Sequence, residues 1–277
     1  MNEAAPTTND DRSETGEPPG VVVEPGWLEA RLGSSELRIV DLRDAEAYAE
    51  SHIPGAVRLE LSRLGTSRPG RDNVLLSPDA FSDLMETLGI STGDTVVAYD
   101  DQWGLAAARL LWALHHYGHT AVAVLDGGWD GWTEEERPTA GGETRTERGR
   151  FTAVPREDVA ATGAWIAERA SNGSLALLDT RTRKEFDDGH IPGARWWDWF
   201  TAVPPGEWTV ARDLEELRAE WSALGAGREQ EIVVYCRSGM RAAHTYMVLK
   251  HAGYPRVRLY DGSWQDWSTS GGEVERA

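Results

Sequence analysis

Short apolar runs alternate along this chain with stretches in which apolar residues recur every three or four positions. The runs at residues 37–41, 95–99 and 121–125 contain little polar alternation, the pattern of strands buried on both faces. The same pattern returns at 175–179, 232–235 and 257–260. Helical periodicity fills the intervals at 78–88 and 105–117, and again at 213–224 and 240–252. Strand, helix and strand at this spacing predict an α/β fold: a mostly parallel sheet with helices on both faces.

The pattern occurs twice because the sequence does. Val40-Asp41-Leu42-Arg43, Tyr48 and His52-Ile53-Pro54-Gly55-Ala56 reappear 138 residues later as Leu178-Asp179-Thr180-Arg181, Phe186 and His190-Ile191-Pro192-Gly193-Ala194. Asp126-Gly127-Gly128-Trp129 and Trp132 reappear 135 residues later as Asp261-Gly262-Ser263-Trp264 and Trp267. Two copies of one domain account for this. The expected organisation is a disordered polar tail over 1–20, a first domain over 21–141, a polar linker over 142–156 and a second domain over 157–277.

Composition narrows the function. A net charge of −18 disfavours nucleic acid, whose phosphates require a basic surface. No run approaches the roughly 18 apolar residues of a membrane span, and residues 1–20 are acidic and polar, so a soluble cytoplasmic protein with no membrane partner is expected. A single cysteine, Cys236, excludes an internal disulfide, a C-x-x-C pair and a cysteine-rich metal site. Any redox role then needs an external thiol, and a reactive thiol suits a reducing compartment.

Cys236 is placed for chemistry. It follows the run Ile232-Val233-Val234-Tyr235 and opens Cys236-Arg237-Ser238-Gly239-Met240-Arg241, a turn leading into a helical pattern. In parallel α/β folds ligands gather at the carboxyl ends of strands. Turn amides and a helix N-terminus there favour negative charge, and with Arg237 and Arg241 they are expected to lower the thiol pKa from its free value of about 8.5. The competing reading is a buried structural cysteine, a common core residue.

The two copies serve as controls for each other. Cys236 falls opposite Asp100, so the first copy has no nucleophile, and features present in both copies are expected to serve the fold. His190, twinned by His52, is therefore read as structural and not as a base for Cys236. Asp179 and Arg181 have twins in Asp41 and Arg43, which leaves Arg181 open between fold and ligand. Arg183 and Lys184 have no basic twins and either add positive potential or are simply solvated. Arg237 and Arg241 occur only in the second copy, and arginine's planar fork suits an oxyanion. Trp196, Trp197 and Trp199 have no aromatic twins and are read as core or interface residues. Trp103, in the first copy's corresponding loop, is placed to reach across the interface.

Loop length separates two chemistries. Related cysteine phosphatases and arsenate reductases use Cys-x5-Arg, which fits a tetrahedral oxyanion; Cys-x4-Arg here makes a narrower ring of amides, suited to one sulfur atom on the cysteine. With the duplicated segments, the chain resembles the tandem-domain rhodaneses over about residues 21–275, and its loop resembles the Cys-Arg-x-Gly-x-Arg form of bacterial thiosulfate sulfurtransferases. The Cys-Gly-Ser-Gly-Val-Thr form of 3-mercaptopyruvate sulfurtransferases differs.

The resemblance implies two rhodanese-like domains, the first inactive, and sulfur transfer from a small anionic donor such as thiosulfate through a Cys236 persulfide. The acceptor would be cyanide or a thiol, for example on a thioredoxin-like protein, with no metal or organic cofactor. The implied substrate-binding residues are Arg237, Ser238, Gly239, Met240, Arg241 and Arg181. Vertebrate-type rhodaneses carry basic residues where this chain has Ser238 and Glu185, so thiosulfate contacts do not carry over to those two positions. A mercaptopyruvate donor and a non-enzymatic persulfide carrier are the alternatives.

Overall fold

The computed structural model describes residues 17–170 and 175–277; of the tail expected to be disordered, 1–16 lie outside the described residues. The first domain contains β1 (Val22–Val23), α1 (Pro25–Glu29), β2 (Leu37–Asp41), α2 (Ala45–Glu50), β3 (Ala56–Arg58), β4 (Gly65–Arg68), β5 (Arg71–Leu75), α3 (Pro78–Thr87), β6 (Thr95–Tyr99), α4 (Leu105–His116), β7 (Val122–Leu125) and α5 (Gly128–Glu134). The second contains β8 (Ala160–Ala161), α6 (Gly163–Ala170), β9 (Leu175–Asp179), α7 (Arg183–Asp188), β10 (Arg195–Trp196), α8 (Leu214–Ala223), β11 (Glu231–Tyr235), α9 (Met240–His251), β12 (Val257–Tyr260) and α10 (Ser263–Thr269).

Each domain is built on a five-stranded parallel sheet, in the order β1-β7-β6-β2-β3 and, matching it, β8-β12-β11-β9-β10. The register repeats as well: Asp41 lies beside Tyr99 and Asp179 beside Tyr235. Every residue of β6 and β9 is buried, as a sheet covered on both faces requires. Several helices begin at a side-chain cap. Asp213 accepts two amides at the start of α8, and Thr182 with Glu185 forms a capping box on α7.

The two domains meet along α4 and α9, which pack on each other. Both helices are almost wholly buried, and His115 Nδ1 lies 3.0 Å from the Tyr246 hydroxyl across the contact. The stretch read as a linker is strapped to the first domain: the Arg150 carbonyl accepts the Thr92 amide at 3.0 Å, and Phe151 packs edge-on against Phe81. Among the described residues, no helix is long and apolar enough to cross a membrane.

Candidate active site

Cys236 follows the last residue of β11, and Gly239, with φ +85°, turns the chain into α9. A side chain at Gly239 would be strained at that φ, and its Cβ would lie 2.9 Å from Arg109 Nη1 and 3.0 Å from Asp261 Oδ1. The cysteine's peptide is held from the turn after β12. Its amide donates to Ser263 Oγ at 3.1 Å, its carbonyl accepts the Trp264 amide at 2.9 Å, and the Arg237 carbonyl accepts the Gln265 amide at 3.1 Å. Ser263 completes the clasp by donating to the Tyr260 carbonyl at 2.8 Å. Cys236 is buried, 1% exposed.

The first domain shows what this turn binds. Asp100 stands at the cysteine's position, and its carboxylate accepts the amides of Gln102, Gly104, Ala106 and Ala107 at 2.7–2.9 Å. Burial pushes the Asp100 carboxyl up, while the four amides pull it down. In the second domain, the amides of Arg241 and Ala242 lie in the first turn of α9, where no intrahelical acceptor exists. None of the amides from Arg237 to Ala242 has a carbonyl partner among the described hydrogen bonds. The turn that wraps a carboxylate in the first copy has as its counterpart in the second the turn that follows Cys236.

Arg237 is exposed, with no carboxylate partner among the described contacts. Arg241 is half-buried and meets Glu185 through two bonds, Nη1–Oε2 at 2.7 Å and Nη2–Oε1 at 2.9 Å. Burial lowers the Arg241 pKa, but the hydrogen bonds to Glu185, together with nearby negative charge, outweigh it and raise the value. The hydrogen bonds from Arg241 hold the Glu185 carboxyl down at about 2. Asp198, half-buried close by, has its carboxyl pushed up by burial. A cleft of about 400 Å³ opens here between Gly70, Arg181, Glu185, Arg237, Trp264 and Gln265.

Arg181, left open by the sequence, takes the place that Arg43 takes in the first domain. Its Nε and Nη2 hold Asp179, Nη2 also donates to the Gly189 carbonyl at 2.7 Å, and its guanidinium stacks on Trp264; Arg43 does the same with Asp41, the Ser51 carbonyl and Trp129. That shared pairing belongs to the fold. His190 and His52 are likewise equivalent, each placing Nδ1 2.9 Å from the carbonyl four residues earlier. Arg183 and Lys184 pair with Asp187 and Asp188 on the exposed face of α7. Trp197 packs in the core against Trp221, Trp199 lies edge-on to His244, and Trp103 reaches across to Phe200 and the Glu207 carbonyl.

The site also uses residues that sequence reading did not single out. The hairpin β4–β5 of the first domain lies against the turn after Cys236: Asn73 Nδ2 donates to Ser238 Oγ at 3.2 Å, and Asp72 exchanges two hydrogen bonds with Gln265. Arg109, from α4, bridges the Asn73 carbonyl at 2.9 Å and Asp261 at 2.7 Å. The arrangement is reciprocal, because His244, 135 residues after Arg109, sits 3.1 Å from the Trp103 carbonyl, and the Val210 amide donates to Asp126. The signal for Ser263 lay in the repeat, where serine in one copy faces Gly128 in the other. Nothing in the sequence around Arg109 marks its role.

Comparison with known proteins agrees with this architecture. The Rhodanese-like domain family matches residues 24–135 and again 162–270. The chain is 36% identical to a thiosulfate sulfurtransferase of Corynebacterium glutamicum, covering 90% of this chain and 88% of the relative. It is 34% identical to the sulfur carrier protein TtuD of Thermus thermophilus, over 90% of this chain and 94% of that one. The crystal structure of SseA from Escherichia coli, a 3-mercaptopyruvate sulfotransferase, superposes with a TM-score of 0.79 at 28% identity, covering 88% of this chain and 99% of that one. A duplicated rhodanese-like domain is thus shared along nearly the whole chain with these proteins, and this chain belongs to the rhodanese family of sulfurtransferases, in its two-domain form.

Proposed function

We propose that the protein is a thiosulfate sulfurtransferase that works through a persulfide on Cys236, with 157–277 as the catalytic unit and 21–141 as its inactive partner. The observation that carries this reading is the Asp100 carboxylate, held by four amides of the turn equivalent to the one around Cys236. The Cys236 thiolate attacks the outer sulfur of thiosulfate, the donor's S–S bond breaks, and sulfite leaves with the bonding electron pair. The enzyme persulfide carries the negative charge on its outer sulfur, which the amides from Arg237 to Arg241, including those of Ser238, Gly239 and Met240, stabilise as they would an oxyanion. Arg237 and Arg241 face the departing sulfite. Cyanide or a thiol, for instance on a thioredoxin-like protein, then attacks the outer sulfur and returns Cys236 to the thiolate. Arg181 serves as cleft wall. A free nucleophilic thiol of this kind fits the reducing cytoplasm.

The test is the intact mass of the protein before and after thiosulfate. A gain of about one sulfur atom, removed by cyanide and absent in Cys236→Ser, is the expected result of covalent nucleophilic catalysis. No gain in mass with active donor present would sink the proposal. The likeness to a 3-mercaptopyruvate enzyme gives the competing donor, and kcat/KM for thiosulfate is expected to exceed that for mercaptopyruvate.

A further inference from the structure

The cleft that Arg237, the residue after Cys236, helps to line also contains the carboxylate of Glu185. Glu185 takes one hydrogen bond from each terminal nitrogen of Arg241, at 2.7 and 2.9 Å, a two-point pairing of the kind by which a guanidinium receives an oxyanion. Its position does not depend on Arg241 alone, because Oε2 also accepts the Thr182 hydroxyl at 2.9 Å and the Thr182 amide at 3.1 Å within the capping box of α7. Both members of the pair are particular to the catalytic copy: Ala47 stands at the position of Glu185, and Ala106 at that of Arg241. The carboxylate is therefore a fixed counter-ion that lines the cleft together with Arg237, the remaining uncommitted cation among the described cleft residues.

Building on the Cys236 sulfur-transfer reading, we propose that Glu185 is a specificity-determining residue that competes with the donor for Arg241 and penalises donors in proportion to their negative charge. A dianion such as thiosulfate must displace the carboxylate or accept its repulsion, whereas a thiosulfonate monoanion, which offers the same outer sulfur, meets half that repulsion. The same competition assists departure of the sulfite dianion once the S–S bond has broken.

Glu185→Gln keeps an oxygen for the Thr182 cap and removes the charge. It is expected to lower KM for thiosulfate about tenfold, near the lower end of what one charge-assisted pairing contributes, and to lower KM for benzenethiosulfonate clearly less. Glu185→Asp keeps the charge but draws the carboxylate back by one methylene from Arg241, and its thiosulfate KM is expected to fall between the two. Equal KM values, within twofold, for wild type and both variants on both donors would show that Glu185 only clamps the turn, and would overturn the proposal. Sulfur uptake on Cys236, followed by mass in the same samples, separates that outcome from failure of the transfer reading: if no variant, wild type included, gains sulfur, both fall together.

Discussion

At the residue scale, the site depends on a serine in a conformation that serine avoids. Ser263 has φ +51°, and its twin Gly128 has φ +56°, where an added Cβ would lie 2.4 Å from the Asp100 carbonyl. The second copy accepts a side chain there because its hydroxyl bridges the Cys236 amide and the Tyr260 carbonyl, both buried. Ser263→Ala keeps the backbone strain and orphans both groups, and is expected to cost about 1–3 kcal/mol. Ser263→Gly loses the same bonds but relieves roughly 1–2 kcal/mol of left-handed strain, so it is expected to be the more stable of the two variants. Denaturant melts rank them, and the opposite order would show that the hydroxyl's bonds do not account for serine at this position.

At the scale of elements, the legible parts of the chain were those whose partners lie within their own domain. Strands such as β6 and β11 read clearly because burial on both faces leaves uninterrupted apolar runs, and α8 and α9 came within a residue or two of their observed ends. The hairpin β4–β5 was not read, since its residues are largely exposed or polar and it finds its partners across the domain boundary: Asp72 and Gln265 are 193 residues apart. Cys236 and its turn were visible through the mismatch between the copies. Glu185 was noted only as a departure from a related pattern, because its role depends on where α7 sets it against α9. Arg109 was invisible for the same reason. It is 3% exposed at the side chain and bonded to Asp261 from the other domain, so Arg109→Leu is expected to cost roughly 3 kcal/mol by leaving a partly buried carboxylate with only Arg71, at 3.5 Å, as a partner. The double variant Arg109→Leu, Asp261→Leu should recover part of that loss. A melt of Arg109→Leu that matched wild type would show that the ion pair contributes nothing to the docking.

At the scale of the whole molecule, the packing of α4 on α9 makes the two domains one acid-sensitive unit. Burial holds His115 down at about 3 and His244 down at about 4. The unfolded chain protonates these groups near pH 6.5 and the folded chain does not, so stability is retained above about 6.5 and lost as pH falls towards the folded values. The melting temperature is expected to decline between pH 6.5 and 5, above the range in which ordinary carboxylates titrate. His244→Asn should flatten part of that decline. A wild-type melting temperature constant across this window would show that the interface histidines are not kept neutral by burial.

The Asp100 turn also bears on what the first domain would need in order to carry sulfur. Its loop runs one residue longer between Asp100 and Gly104 than the loop from Cys236 to Gly239, Ala106 stands in place of Arg241, and Glu24, Asp126, Glu134, Glu135 and Glu207 line the adjacent cleft of about 380 Å³. Each change would be harmless once the nucleophile had gone, and each must be undone before a thiol there could work. Asp100→Cys is accordingly expected to take up no sulfur from thiosulfate by intact mass in a Cys236→Ser background. On the proposed reading of 21–141 as inactive, the asymmetry acts as a ratchet: one substitution suffices to leave an active state, and several are needed to return.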